Sequence, residues 1–280
     1  MYPLSAMADR MPVLVAPAAL GAGLSAPAVA AAIGRGLERA GCMPPDLCPL
    51  AGGGRGTIAV LLPALGGETG DGYALIEDGG TAIVELAETA PRTAERMLAA
   101  TGAGAEVVLV AAGGSGEFDG AAGLVEAIED GGGLRGATPV VLCETRAAWS
   151  APAGELRRDP RSVAMTAAGG GVAGALWARY DAALVHGPAF VLERLGFDAR
   201  MRASRALVVG EARLDRGTLA GRVAGEAAIR ARQAGVPYHA VVATSELDPF
   251  DVRILDLQAI AEAATLAELE AAGEALARFL

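Results

Sequence analysis

The chain repeats a pattern in which a short run of apolar residues leads into a glycine-rich turn and then into an amphipathic stretch. Apolar runs of this kind indicate buried strands, and they occur at residues 11–16, 107–111, 138–143, 206–209 and 239–243. After the first run, Ser25 is a predicted N-cap for a helix whose apolar face includes Val29 and Ile33. Near the other end, Thr265 and Glu268 have the spacing of a capping box. Strands that alternate with helices predict a mostly parallel sheet.

The pattern changes between residues 57 and 86, where short apolar runs are separated by glycine pairs. This texture predicts antiparallel strands and hairpins that end in a strand at residues 81–86. We therefore predict an α/β fold, mostly parallel, with a Rossmann/flavodoxin-like three-layer domain and a second, inserted α/β domain. The first domain would comprise residues 1–58 plus 203–280, and the inserted domain residues 59–202.

The segment at residues 210–222 is rich in charged side chains and follows an apolar strand. We predict a loop that leads into a helix from about Leu219, with Glu211, Arg213 and Asp215 at the carboxyl end of the strand. Open α/β sheets bind their ligands at such ends. The alternative is a solvated turn, which is the more common role of a charged strand-to-helix loop.

A second ligand-type turn follows the strand at residues 107–111. Gly113, Gly114 and Ser115 bring backbone N–H groups, a hydroxyl and the start of a helix together, which suits a phosphate. Asp119 is placed to accept a hydroxyl proton or to face a magnesium ion, and a simple N-cap is an equal alternative.

Three other segments are weaker candidates. The glycine cluster at residues 49–57 lacks the Lys and the spacing of a P-loop, so it is either a flexible turn or a loop that a ligand approaches, with Arg55 supplying charge. Residues 21–26 match the dinucleotide-binding fingerprint, but the match does not follow the strand directly, which favours a turn. Glu144 comes directly after the strand at residues 138–143.

The amino-acid composition limits which charged groups can bind a ligand and which partners are expected. The chain has no Lys and no Asn, so every fixed positive side chain is an Arg. A net charge of −10 argues against binding to nucleic acid or to an acidic membrane, because both need a basic face.

Three cysteines without metal-ligand spacing indicate reduced thiols and a cytoplasmic protein. Prolines and glycines interrupt the uncharged stretch at residues 12–34, which argues against a membrane span. His186 and His239 have no partner at ligand spacing and are predicted to be structural.

Taken together and in order, these segments resemble the bacterial type I glycerate kinase family, of which the chain looks like a shortened and divergent member. The segments that carry the resemblance are 16–26, 49–57, 82–88, 113–123, 143–145, 167–170 and 210–222. In the last of them the family pattern is kept at Glu211, Arg213, Asp215 and Thr218, and Arg222 stands in the place of a Lys.

The resemblance implies an ATP-dependent kinase that phosphorylates glycerate or a related small hydroxy acid, with Mg²⁺ and a nucleotide. Asp119, Asp215 and Arg213 would be the catalytic residues. The residues that would bind substrate or phosphate are Gly113, Gly114, Ser115, Glu211, Arg222 and Arg55. Glu144 would be a metal ligand. No nucleic acid or membrane is expected as a partner, and a homodimer is left open.

The chain departs from the family pattern at several charged positions. Ala18 and Gly21 stand where the family has an Asp and a Lys. Gly52 and Arg55 replace an Asp and a Glu, and Glu144 replaces an Asp. These replacements favour a second hypothesis, a degenerate relative that keeps the fold and ligand binding without turnover. The two ligand-type turns that are retained favour an active kinase.

Overall fold

The structure is a computed structural model of the chain and describes residues 11–21, 23–113, 121–150 and 158–280. Its strands are, in chain order, β1 (Val13–Pro17), β2 (Asp46–Leu47), β3 (Glu68–Thr69), β4 (Tyr73–Ile76), β5 (Thr81–Glu85), β6 (Val107–Gly113), β7 (Thr138–Cys143), β8 (Ala183–His186), β9 (Ala206–Leu214), β10 (Tyr238–Ser245) and β11 (Leu257–Glu262). Its α-helices are α1 (Ala26–Arg39), α2 (Thr57–Leu65), α3 (Ala90–Gly102), α4 (Ala122–Asp130), α5 (Val172–Tyr180), α6 (Gly187–Arg194), α7 (Phe197–Arg202), α8 (Arg216–Leu219), α9 (Val223–Ala234), α10 (Pro249–Leu255) and α11 (Leu266–Leu276). In this described part of the chain, no helix has both the length and the apolar character that crossing a bilayer would require.

The chain divides into two compact units. Unit 1 comprises Met1–Ala51 and Leu192–Leu280, and unit 2 comprises Gly52–Val191. The sequence suggested a division after residues 58 and 202 instead. Helix α7 falls in unit 1 because Phe197 and Met201 are fully buried in its core. The mixed α/β architecture with mostly parallel sheets confirms the predicted fold class.

Unit 1 is built on one parallel sheet with the strand order β11-β10-β9-β1-β2. Counted along unit 1 alone, this is the 2-1-3-4-5 order of flavodoxin-like folds. Strands β1 and β9 lie side by side, with Ala16 opposite Val209 and Pro17 opposite Gly210. The order reverses between these two strands, so their carboxyl ends form the topological switch point at which such folds bind ligands.

Each buried strand of this sheet presents alternate residues to opposite sides, so both faces of the sheet carry apolar side chains that pack into a core. Leu14 and Val209 face one core, which also contains the inner side of α9 and helix α7. Val15 and Val208 face the other core, which contains α1 and α11. The result is a three-layer arrangement of helix, sheet and helix.

Helices α1 and α11 approach each other with backbone contact. A Cβ atom added at Gly36 would lie 2.0 Å from the carbonyl oxygen of Glu270, and one added at Gly273 would lie 2.3 Å from that of Ile33. Arg35 Nε donates to Glu270 Oε1 at 2.6 Å on the solvent side of the same contact. Only glycine permits this approach, and it brings the apolar faces of the two helices together over the sheet.

Unit 2 contains a six-stranded mixed sheet with the order β3-β4-β5-β6-β7-β8. Strands β3, β4 and β5 pair antiparallel, as the hairpin texture predicts, and β5 to β8 pair parallel. The core residues that pack on this sheet come mainly from α3, α4 and α5, and include Ala94, Met97, Leu124, Ile128, Val172 and Leu176. The carboxyl ends of the four parallel strands therefore lie along one edge.

Residues 57–65 are the main error of the sequence prediction in this unit, because they form helix α2 rather than a strand. The first turn of this helix is fixed by two bonds. Thr57 Oγ1 donates to the carbonyl of Gly54 at 2.6 Å, and the backbone N–H of Ile58 donates to Glu85 Oε1 at 2.8 Å. A carboxylate at the end of β5 thus satisfies the amino end of α2.

Candidate functional site

Strand β9 extends further than its apolar run indicates. The sequence predicted a loop from residue 210, but Glu211 pairs with Val242 and Arg213 pairs with Thr244 in a continuous parallel ladder with β10. The prediction was wrong here because β10 itself continues to Ser245 and supplies the backbone partners. The charged side chains at 211 and 213 therefore project from a sheet rather than from a loop.

Asp215 follows the last residue of β9 and is the N-cap of helix α8. Its Oδ1 accepts the backbone N–H of Gly217 at 2.6 Å, and its own N–H donates to Thr218 Oγ1 at 3.3 Å. This reciprocal arrangement is a capping box, in which two otherwise unpaired backbone donors are satisfied. The side chain of Asp215 is held in one position by the start of the helix.

Glu211 is a buried carboxylate, with 8% of its surface exposed. Thr218 Oγ1 donates to Glu211 Oε2 at 2.6 Å, and Arg222 Nη1 lies 3.5 Å from Glu211 Oε1. The same Arg222 nitrogen lies 3.1 Å from Asp215 Oδ1 and 3.3 Å from the carbonyl oxygen of Arg213. These contacts join Glu211, Thr218, Asp215 and Arg222 into one connected network. They supply the hydrogen bond and the opposite charge that a buried carboxylate needs.

An open groove of about 490 Å³ lies beside this network. Its charged lining residues are Asp215, Arg216, Arg222, Glu246, Asp248 and Asp251. Glu246 and Asp248 come from the segment between β10 and α10, and Asp251 comes from the first turn of α10. None of the three was identified from the sequence. A signal existed, since the strand at 239–243 leads into Ser-Glu-Leu-Asp at the same edge of a parallel sheet.

Two arginines are weakly held by carboxylates that line this groove. Arg213 lies 3.6 Å from Glu246, and both side chains are more than half exposed. Arg216 lies 3.8 Å from Asp251. The Arg213–Glu246 pair is exposed on both sides, and such pairs contribute about 0–1 kcal/mol. The Arg216 side chain is 87% exposed and far from its partner, so both guanidinium groups can exchange a protein carboxylate for an anionic ligand. Arg222, by contrast, is fixed by its two carboxylate partners.

The loop between β1 and α1 borders the switch point but brings no charge to it. Residues 17–25 contain no ionisable side chain. Gly21 has a φ of +100°, and a Cβ atom at Gly21 or Gly23 would meet no atom within 4 Å. The predicted turn is thus present, whereas the predicted N-cap Ser25 occupies its position without a side-chain capping bond.

Unit 2 has a second group of predicted site residues, at the carboxyl ends of its parallel strands. The N–H of Gly113 donates to the carbonyl of Gly53 at 3.0 Å, and the N–H of Glu144 donates to the carbonyl of Gly113 at 2.8 Å. A Cβ atom at Gly54 would lie 2.8 Å from Gly113 Cα, and one at Gly53 would lie 2.7 Å from Gly187 Cα. Gly53 and Gly54 thus pack backbone against backbone across the ends of β6, β7 and β8.

Two of the predicted site residues at this edge, Glu144 and Arg55, have side chains that the structure describes. Glu144 is half-buried, and its carboxylate lies over Gly52. Arg55 is exposed. The predicted residues Gly114, Ser115 and Asp119 lie outside the residues that the structure describes.

The described residues contain no group of three or more His, Cys, Asp or Glu side chains arranged to hold a metal ion. All three cysteines are free thiols. Burial raises the pKa of Cys48 to about 11 and that of Cys143 to about 12, so both are unreactive. His239 is buried, and burial lowers its pKa.

The strand order and the charged strand ends define the protein as an open-sheet α/β protein, a class in which ligands commonly bind at the carboxyl ends of the strands. Comparison with known proteins identifies it further. Residues 13–94 and 135–278 match the profile of the Glycerate kinase family, and the chain belongs to this family.

One solved structure has the same fold over nearly the whole chain. It is the crystal structure of a "putative glycerate kinase 2" from Salmonella typhimurium LT2, with a TM-score of 0.70 and 21% sequence identity. The similarity covers 96% of this chain and 98% of that one. A search among functionally curated proteins gives no match.

Proposed function

We propose that the protein is an ATP-dependent kinase that phosphorylates glycerate or a related small hydroxy acid. The observation that carries the proposal is the connected network of Glu211, Asp215, Thr218 and Arg222 at the carboxyl end of β9 in a member of the glycerate kinase family. Phosphoryl transfer requires mainly positioning and charge neutralisation, and this network holds both a carboxylate and a guanidinium in fixed places.

The arginines would hold the anionic groups of the reactants. Arg213 has only an exposed partner at 3.6 Å, and it can turn to the carboxylate of a hydroxy acid or to a γ-phosphate. Arg222 would present a fixed positive charge to the transferring group. Because the chain carries a net charge of −10, binding of an anionic substrate depends on such local arginines.

Asp215 would accept the proton of the substrate hydroxyl or face the Mg²⁺ ion that enters with ATP. Its position is set by the Gly217 N–H and by Arg222, so no reorganisation is needed when the substrate arrives. In the other unit, Gly113, Gly114 and Ser115 would bind phosphate, with Asp119 as the second candidate base and Arg55 as a further positive group. Glu144 would be the metal-binding carboxylate among these residues of unit 2.

The test is the formation of ADP by the purified protein with Mg²⁺–ATP and D-glycerate, compared with its Asp215→Asn variant. Asn caps helices about as well as Asp, so this substitution removes the charge while keeping α8. We expect turnover to fall by about 10²–10⁴-fold, the usual contribution of a positioned general base. Wild-type protein that forms no ADP, or an Asp215→Asn variant as active as wild type, would refute the assignment.

Asp159 provides the matched control. It is also an N-cap carboxylate with an arginine partner, since Arg161 Nη2 donates to Asp159 Oδ2 at 2.7 Å. This pair lies on the surface of unit 2, and the partner lowers the pKa of Asp159 to about 2. Asp159→Asn should leave turnover unchanged, which separates loss of a capping charge from loss of a catalytic one.

A second candidate function is ligand binding without turnover. The observation that favours it is the uncharged β1–α1 loop at the switch point, with Ala18 and Gly21 where the family has charged residues. In that case Mg²⁺–ATP would raise the unfolding midpoint of the protein, but no ADP would form with any small hydroxy acid tested.

A further inference from the structure

Positions 52 and 144 compete for one volume. A Cβ atom built on Gly52 would lie 2.0 Å from Glu144 Oε1 and 2.4 Å from its Cδ atom. The Gly52 backbone lies outside the left-handed region, so it would accept a side chain without strain. The Glu144 carboxylate is therefore what fills the place of a side chain at residue 52.

The neighbouring glycines differ from Gly52 in this respect. Gly53 has a φ of +88°, and its missing Cβ would meet the backbone of Gly187. Gly54 faces the backbone of Gly113 in the same way. Glycine at 53 and 54 is required by neighbouring backbone, whereas the three atoms nearest to a Cβ at residue 52 all belong to the Glu144 side chain.

We propose that Glu144 supplies the carboxylate that the resemblance assigns to position 52. The family pattern has an Asp at each of the two positions, and this chain has Gly52 and Glu144. The side chain of Glu is one methylene longer than that of Asp, and here its carboxylate reaches over Gly52. Of the two acidic positions in the family pattern, only the one at the strand end is acidic here, and its longer side chain fills the volume beside residue 52.

The surroundings give this carboxylate a role in the proposed reaction, on which this part of the inference rests. The backbone N–H of Glu144 is bonded to Gly113, the first residue of the predicted phosphate-binding turn. A carboxylate beside a phosphate-binding turn suits the Mg²⁺ that accompanies a nucleotide. Glu144 is thus the candidate carboxylate for Mg²⁺–ATP in unit 2.

A double-mutant cycle in stability tests the shared volume without any assay of turnover. The four proteins are wild type, Gly52→Asp, Glu144→Ala and the combined Gly52→Asp/Glu144→Ala variant, unfolded by heat and followed by tryptophan fluorescence. Gly52→Asp alone places two carboxylates in one half-buried volume, and we expect its midpoint to fall by roughly 2–4 °C or more. The combined variant should regain most of that loss, and a loss that persists would overturn the proposal.

A second arm tests the role. Glu144→Ala should lower Mg²⁺–ATP-dependent turnover by about 10–100-fold, and the combined variant, which returns a carboxylate to the same volume, should recover most of it. No recovery, or no effect of Glu144→Ala, overturns the assigned role. Glu106→Ala removes an exposed carboxylate just before β6, at the opposite end of that strand, and should change neither property. If wild type has no turnover, the proposed function fails, while the stability cycle still decides whether the two positions share one volume.

Discussion

Gly52 and Gly53 are adjacent in unit 2, and the effect of an alanine substitution on stability can be compared directly between them. In Gly53→Ala the new Cβ would lie 2.7 Å from Gly187 Cα and 2.9 Å from Leu142 Cβ, on a residue whose φ is +88°. The left-handed conformation costs a non-glycine residue about 1–2 kcal/mol, and overpacking costs about 1–3 kcal/mol. We expect Gly53→Ala to lower the free energy of unfolding by about 2–5 kcal/mol.

Gly52→Ala is the matched control. The three atoms nearest to the new methyl group all belong to the flexible end of the Glu144 side chain, which can shift, and φ is not strained. We expect a cost below about 1 kcal/mol, within the usual range of surface substitutions and mild overpacking. The two variants differ by one position in the chain, so their comparison isolates the backbone contact.

The assay is denaturant unfolding followed by tryptophan fluorescence. The two tryptophans of the chain, Trp149 and Trp177, both belong to unit 2, so the signal reports the unit that contains the substitutions. Trp149 is 7% exposed and will change its environment on unfolding. Equal costs for the two variants, or a Gly53→Ala protein as stable as wild type, would refute the reasoning.

Two further predictions concern unit 1. Gly36→Ala should destabilise by about 3 kcal/mol, because its Cβ would lie 2.0 Å from a backbone oxygen of α11. Gly34→Ala in the same helix meets only side-chain atoms at 3.1 Å or more and should cost far less, as thermal unfolding followed by far-UV circular dichroism will show. Burial lowers the pKa of His239, so the unfolded state binds a proton that the folded state refuses, and stability falls as pH drops below about 6.5. His239→Leu should reduce the slope of unfolding free energy against pH between 7 and 5 by up to about 1.4 kcal/mol per unit, and an unchanged slope would contradict this account.

Local sequence patterns were sufficient for the elements that local physics determines. The continuous apolar runs at residues 11–16, 107–111 and 239–243 predicted strands buried on both sides, and the structure has β1, β6 and β10 there. The capping box of α11 was also confirmed, since Glu268 N–H donates to Thr265 Oγ1 and Thr265 N–H donates to Glu268 Oε2. In these cases the stabilising partners lie within a few residues of one another.

The errors arose where the deciding partner is distant in sequence. Residues 57–65 have no clear helical periodicity, and their helix begins with a bond to Glu85, 27 positions away. The extension of β9 through Leu214 depends on the length of β10, whose residue Ser245 pairs with Leu214. A sequence window cannot show either contact.

The candidate site was predictable to a similar extent. The charged residues at 211, 213 and 215 were identified because they follow an apolar strand. Their actual connections could not be read from the pattern: Glu211 is buried against Thr218, and Arg222 joins it to Asp215. The relation between Gly52 and Glu144 joins residues 92 positions apart and becomes visible only in three dimensions.

The length of β9 has a consequence for how tightly a ligand can be bound. A loop that carries Glu211 and Arg213 would lose conformational entropy each time a ligand ordered it, at about 1–2 kcal/mol per residue. Here the ladder with β10 orders these residues when the chain folds, so that cost falls on folding and not on binding. Titration calorimetry with a hydroxy acid should therefore show little of the unfavourable entropy that accompanies loop ordering. Substitutions that shorten β10 should weaken binding even though they touch no ligand.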